Sequence, residues 1–163
     1  MKAIVAVDQN WGIGCIGKLL AHIPEDLNYF KQQTLGKVVV MGRETLETLP
    51  GKRPLPGRTN IVLTGNAAYE TPCRICDSME SALELIKTYK DEDVFIIGGE
   101  QIYEQFLPYC NEVYVTKIDN AFLCDKHFPN LDKMQEWQLS EEGSIGEHGG
   151  LKYQFTKYSK RME

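Results

Sequence analysis

Apolar residues along the chain fall into two kinds of run. Residues 3–7 (AIVAV), 38–41 (VVVM), 61–63 (IVL) and 94–97 (VFII) are short and nearly unbroken. Continuous runs of this length suit strands buried on both faces, as in a parallel sheet covered by helices. Between them the period lengthens. In PEDLNYFKQQTLG, Pro24 opens a helix, Leu27, Phe30 and Thr34 share one face, and Gly36 closes it. Asp77 and Glu80 read as a capping box ahead of an amphipathic stretch through Leu83 and Ile86. RETLETLP and EQIYEQFLP are shorter helices, each stopped by a proline. This alternation predicts right-handed crossovers and an α/β fold with a mainly parallel sheet. The end of the chain differs. Residues 112–118 (EVYVTKI) and 151–158 (LKYQFTKY) alternate, and no helix of any length separates residues 137–140 from the latter, so an antiparallel finish is expected.

Two turns have the makings of an anion site. The strand VVVM runs into Gly42-Arg43-Glu44-Thr45 and a helix, and VFII runs into Gly98-Gly99 and another helix. Glycine at such a turn lets backbone approach a ligand, and the helix start offers unpaired N–H groups and a positive dipole end. The pair reads equally as two tight strand-to-helix turns or as a pyrophosphate clamp. Neither is the G-x-G-x-x-G of the common dinucleotide fold. Asp26 leaves two readings as well. An acid in the first turn of a helix complements its dipole. A carboxylate next to Leu27 and ahead of Phe30, on the edge of an apolar face below a loop holding Gly12, Gly14 and Gly17, also suits an amidine-like N–C–N edge bound through two parallel hydrogen bonds. Spacing alone does not choose.

Composition narrows the field. With 163 residues the chain has the length of one domain spanning 1–163. Lys plus Arg is 18 against 23 for Asp plus Glu, so no basic surface marks a nucleic-acid binder. No early apolar run approaches the length of a leader's core or of a membrane span, which needs about 20 residues. The expectation is a chain starting at Met1 and working in the cytoplasm. Its five cysteines are odd in number and irregularly spaced, which fits reduced thiols. Cys73 and Cys76 form a C-x-x-C without a second pair at zinc spacing, so no metal is expected.

Seven motifs in fixed order give the chain a closer likeness. AVDQNWGIG, IPEDLNYFK, VVVMGRETLETLP, RPLPGRTNIVLT, VFIIGGEQIYEQFLP, VYVTKID and DKHFP, spread from Ala3 to about Tyr158, together resemble the dihydrofolate reductase family. The resemblance implies an eight-stranded, mostly parallel sheet with an antiparallel C-terminal strand, flanked by four helices. It also implies NADPH-dependent reduction of 7,8-dihydrofolate to tetrahydrofolate, the one-carbon carrier for thymidylate, purine and amino-acid synthesis. The partners it implies are dihydrofolate and antifolate inhibitors, with no nucleic acid, no membrane and a monomeric state. A same-architecture reductase acting on a ribosylaminopyrimidine would have no reason to keep both Asp26 and PLPGR. A non-catalytic NADPH binder is the remaining alternative.

Residue by residue, the resemblance makes Asp26, helped by Thr116, the anchor of the pterin 2-amino group and N3. The carbonyls of Ile4 and Ile97 would edge the ring, and Val5, Ala6, Leu27, Phe30, Leu49 and Leu55 would wall it. Arg58, read alone only a basic turn residue, would pair with the substrate's glutamate carboxylate. On the cofactor side Arg43 and Thr64 would meet the 2′-phosphate. Gly42, Glu44, Thr45, Leu63, Gly98, Gly99, Gln101 and Ile102 would line the phosphates and adenosine. Ala6, Ile13, Gly14 and Ile97 would also contact the cofactor, and Tyr103 would lie near the nicotinamide. The family's Gly-Gly peptide is cis. Residues 10–23 would form a lid, including Gly14, Leu19, Leu20 and Ala21, held closed by Asp125 accepting backbone N–H groups near Gly14. The chain departs from the family at Leu20-Ala21, where Pro-Trp is usual, and at Glu44 and Gln101, which replace residues that are often basic.

Overall fold

The computed structural model describes residues 1–14, 22–66 and 68–161. Among these residues ten strands run β1 Lys2–Val7, β2 Gly12–Gly14, β3 Val38–Gly42, β4 Thr59–Leu63, β5 Arg74–Cys76, β6 Val94–Gly98, β7 Glu112–Ile118, β8 Lys126–His127, β9 Trp137–His148 and β10 Leu151–Lys160. Four helices separate them, α1 Pro24–Thr34, α2 Arg43–Thr48, α3 Met79–Ile86 and α4 Glu100–Phe106. Eight strands form one sheet in the order β5-β4-β3-β6-β1-β7-β10-β9, and β2 and β8 make a small ladder of their own. β10 runs antiparallel to both its neighbours, whereas the pairings among β1, β3, β4, β5, β6 and β7 are parallel.

The unbroken apolar strands are buried on both sides. Val39 and Met41 of β3 pack with Leu46 of α2 and Phe30 of α1, while Val38 and Val40 join Ala82 and Ile86 of α3 and Phe106 of α4. Helices therefore cover both faces, which is what a parallel sheet requires of its Val- and Ile-rich strands. Cys73 and Cys76 pack into these two different clusters, consistent with the apolar role of buried thiols.

One local expectation shifts by a residue. The capping box of α3 is Ser78 with Ser81, displaced by one residue from Asp77 and Glu80. The Ser78 hydroxyl reaches the Ser81 N–H at 3.1 Å, Ser81 Oγ accepts the Ser78 N–H at 3.2 Å, and Asp77 only accepts from the Ser81 hydroxyl. α1 ends at Thr34, and Gly36 (φ +77°) supplies the left-handed turn beyond it. The antiparallel finish is a long hairpin, turning at Gly149-Gly150, both at positive φ.

One irregularity opens the sheet. β1 pairs with β6 only through Lys2↔Phe95 and Ala3↔Ile96, although its pairing with β7 continues to Val7↔Lys117. On its other side β6 carries an extra residue, Ile97, between the pairs Val40↔Ile96 and Met41↔Gly98. A crevice opens at the carboxyl ends of β1 and β6, whose following helices α1 and α4 pack on opposite faces. Ligands of open α/β sheets bind at this kind of place.

Candidate functional site

One wall of the crevice carries the carboxylate. The register sets Thr116 of β7 beside Ala6 of β1, and the Thr116 hydroxyl donates to Asp26 Oδ1 at 2.7 Å. Tyr29 fixes α1 in place from its next turn, stacking on Phe155 of β10 with centroids 4.0 Å apart and rings 18° from parallel. Phe155 is itself paired with Thr116. Burial pushes the Asp26 carboxyl above its ordinary value, and the Thr116 hydrogen bond partly opposes that.

Ile4, Phe30, Leu49, Leu55 and Ile97 join one apolar cluster on this face. Leu27 leaves 41% of its surface exposed on α1. Val5 departs from expectation: side chains alternate along a strand, so Val5 packs into the opposite core with Val7 and Tyr103. The Ile4 carbonyl accepts the Tyr103 hydroxyl at 2.7 Å, which ties β1 to α4 across the sheet. Burial pushes the Tyr103 phenol far up, so that hydroxyl stays a donor.

At the far end of α1, Arg58 Nη1 donates to Thr34 Oγ1 at 3.1 Å and its Nε to the Pro56 carbonyl at 3.0 Å. The loop that presents Arg58 is built by Asn60, which sequence reasoning missed. Asn60 Oδ1 accepts from the Leu55 N–H, and its Nδ2 donates to the carbonyls of Leu55 and Arg58. A buried Asn closing the PLPGR turn has a weak sequence signal, since only its place just after the turn suggests it.

The other wall holds the glycine turns side by side. Met41 pairs with Gly98, and a Cβ on Gly99 would lie 3.7 Å from Thr45 Oγ1. Gly98 has φ +120°, and a side chain there would meet the Tyr103 ring at 3.2 Å. A Cβ on Gly42 would stand 3.1 Å from Ile102 Cγ1. The Gly98–Gly99 peptide is cis. These positions keep bare backbone at two adjacent helix starts, as a phosphate-bearing ligand needs.

Gly42 pairs with Leu63, so Arg43 and Thr64 leave neighbouring strand ends together. Arg43 Nη1 lies 4.0 Å from Glu47 Oε1, and Glu47 also accepts from the Tyr69 hydroxyl at 3.3 Å. Thr64 Oγ1 accepts the Asn66 N–H at 3.2 Å. Leu63 packs partly buried against the core, and Glu44 and Gln101 are exposed.

A third element closes over the strand ends. Gly12 and Gly14 of β2 pair with His127 and Lys126 of β8, placing Ile13 in that arm. The structure sets Asp125 beside Gly14, backbone to backbone. The Asp125 N–H donates to the Gly14 carbonyl at 3.1 Å. Glu100, the first residue of α4, accepts the His127 N–H at 2.6 Å and joins this arm to the glycine turns. Leu19, Leu20 and Ala21 lie outside the described residues. Among the described residues no cluster of His, Cys, Asp or Glu is suited to a metal, and no helix is long and apolar enough to cross a membrane.

Comparisons with known proteins agree with this geometry. The family model described as dihydrofolate reductase matches residues 1–160. The dihydrofolate reductase of Bacillus subtilis (strain 168) is 39% identical over 161 residues, covering 97% of this chain and 93% of that protein. A dihydrofolate reductase of Neisseria meningitidis (strain MC58) is also 39% identical, over 158 residues, covering 95% of this chain and 94% of that protein. Among solved structures, the dihydrofolate reductase from Enterococcus faecalis complexed with NADP(H) and RAB-propyl matches with a TM-score of 0.87. It is 34% identical and covers 99% of this chain and 96% of that one.

Proposed function

The chain belongs to the dihydrofolate reductase family, and on that premise we propose that it reduces 7,8-dihydrofolate to 5,6,7,8-tetrahydrofolate with NADPH. The observation that carries the assignment is the Thr116–Asp26 hydrogen bond at 2.7 Å, facing a crevice whose other wall is the pair of glycine turns.

Asp26 binds the substrate's N–C–N edge through two parallel hydrogen bonds, to the 2-amino group and N3. The Thr116 hydroxyl, donating to Oδ1, helps to fix the carboxylate for this role. The apolar cluster of Ile4, Phe30, Leu49 and Leu55 takes the ring and its linker, and Arg58 receives the terminal carboxylate. The backbone cradle fits NADPH, since Gly42, Gly98 and Gly99 leave space that a Cβ would fill. Thr45 and the N–H groups at both helix starts hold the pyrophosphate, while Arg43 with Thr64 selects the 2′-phosphate. NADPH, when bound, supplies the hydride that reduces pterin C6. Asp26 acts on N5 at a distance: a carboxylate engaged at N3 does not reach N5, but its charge raises the proton affinity there, and water delivers the proton.

The test is consumption of NADPH followed at 340 nm. Purified protein should oxidise NADPH only when dihydrofolate is present, and much faster than NADH. Absence of dihydrofolate-dependent oxidation would leave a cofactor-binding protein without this activity.

A further inference from the structure

Asp8, the residue after β1, is 4% exposed and takes no part in the reaction just described. Its carboxylate collects donors from two distant segments. Oδ1 accepts the N–H groups of Asn10 and Gly12, each at 2.8 Å. Oδ2 accepts the Phe122 N–H at 2.9 Å and faces the Cys124 thiol at 3.6 Å. The backbone N–H of Asp8 donates in turn to the Gly12 carbonyl at 3.0 Å. Gly12 leaves no slack, because a Cβ there would lie 2.5 Å from Cys124 Sγ. Burying a carboxylate is costly unless hydrogen bonds meet it. Burial alone would raise the Asp8 pKa, but the N–H groups of Phe122, Gly12 and Asn10 outweigh it and hold the group below its ordinary value. A fixed anion therefore stands where the β1–β2 turn meets the loop before β8.

Beyond this carboxylate the two segments run on in contact. The Phe128 N–H donates to the Trp11 carbonyl at 2.8 Å, and the Asp125 N–H to the Gly14 carbonyl at 3.1 Å. These bonds bracket Ile13 and end at Gly14, the two residues of this arm assigned above to the cofactor. We propose that Asp8 is a positioning residue for the reductase reaction, fixing the β2–β8 ladder and hence the placing of Ile13 and Gly14 at the crevice. The proposal rests on the dihydrofolate reductase reading.

Asp8→Asn and Asp8→Ala in the full chain test it. Asn keeps the size and one acceptor oxygen, but turns an N–H donor toward that of Phe122. Amide hydrogen exchange of the ligand-free protein should quicken more than tenfold at Asp125 and Phe128, whose amides do not bond Asp8. In single turnovers hydride transfer should slow tenfold or more, while the dihydrofolate Kd stays within twofold. Exchange that quickens only at Asn10, Gly12 and Phe122, or hydride transfer within twofold of the parent, would overturn the proposal. So would loss of the folded state in both variants, which would give Asp8 a purely structural role. A parent protein that fails to oxidise NADPH would sink the functional reading instead, and the exchange pattern would still report what Asp8 holds.

Discussion

Asp26 lies in the first turn of α1, where an acid gains from the helix dipole, yet burial pushes its carboxyl above the ordinary 3.8, with the Thr116 hydrogen bond opposing only part of the rise. A raised native pKa means the folded state binds the proton more tightly than the unfolded chain does. The associated stability is full below about pH 4 and falls as pH rises from there through the native pKa. Asp26→Asn removes this deficit, so its Tm at pH 7 should exceed the parent's, with the gap closing as the pH falls through the native pKa toward about 4. A Tm lower than the parent's at pH 7 would mean the dipole interaction dominates. On the proposed reading Arg43, with Thr64 beside it, supplies the charge that selects the cofactor's 2′-phosphate, since Glu44 and Gln101 are exposed neighbours without positive charge. Arg43→Ala should raise KM for NADPH about 10- to 100-fold, the loss of roughly 1.4–2.8 kcal/mol, and leave KM for NADH almost unchanged. Equal losses for both would make Arg43 structural. Asp26 and Thr116 stand 90 positions apart in sequence, so only the family pattern could pair them, and the structure brings them together. Val5 shows the opposite limit, because one step along a strand reverses the side chain's face. Asp8 was missed for a related reason. An aspartate after a strand reads as an ordinary loop residue until Phe122, 114 positions away, is seen to donate to it.

Periodicity located the elements that pack on the core, and it lost those that do not. β3, β6 and β7 are legible because their buried side chains admit little but Val, Ile and aromatics. β9 is an edge strand whose residues beyond Trp137 are nearly all solvent-facing, so its Glu, Ser and Gly carry no apolar alternation to read. The cap of α3 was misplaced by one residue because Asp77 and Ser78 are both good N-caps, and only the backbone geometry selects between them. Ser78→Ala should cost about 1 kcal/mol, measured by denaturant unfolding, without altering cofactor affinity. The turn after β6 is more exacting. Gly98→Ala places a Cβ 3.2 Å from the Tyr103 ring on backbone at φ +120°, a region L-residues avoid. It should weaken NADPH binding by tenfold or more in a fluorescence titration. Unchanged affinity would remove Gly98 from the cradle.

At the scale of the whole molecule, a parallel sheet was legible in the alternation of strands and helices, but the strand order and the early parting of β1 from β6 were not. Both depend on which strands meet in space. That parting opens the strand ends between the Thr116–Asp26 pair and the glycine turns after β3 and β6. The central claim is that Asp26 serves as an anion that raises the proton affinity of a bound pterin. The most direct test is the pH dependence of the hydride-transfer rate in Asp26→Asn, measured in single turnovers with NADPH and dihydrofolate. At pH 7 the rate should fall by orders of magnitude. Lowering the pH should recover much of it, as substrate protonated in solution no longer needs the anion. A near-normal rate at pH 7, or a loss that acid does not relieve, would contradict the account.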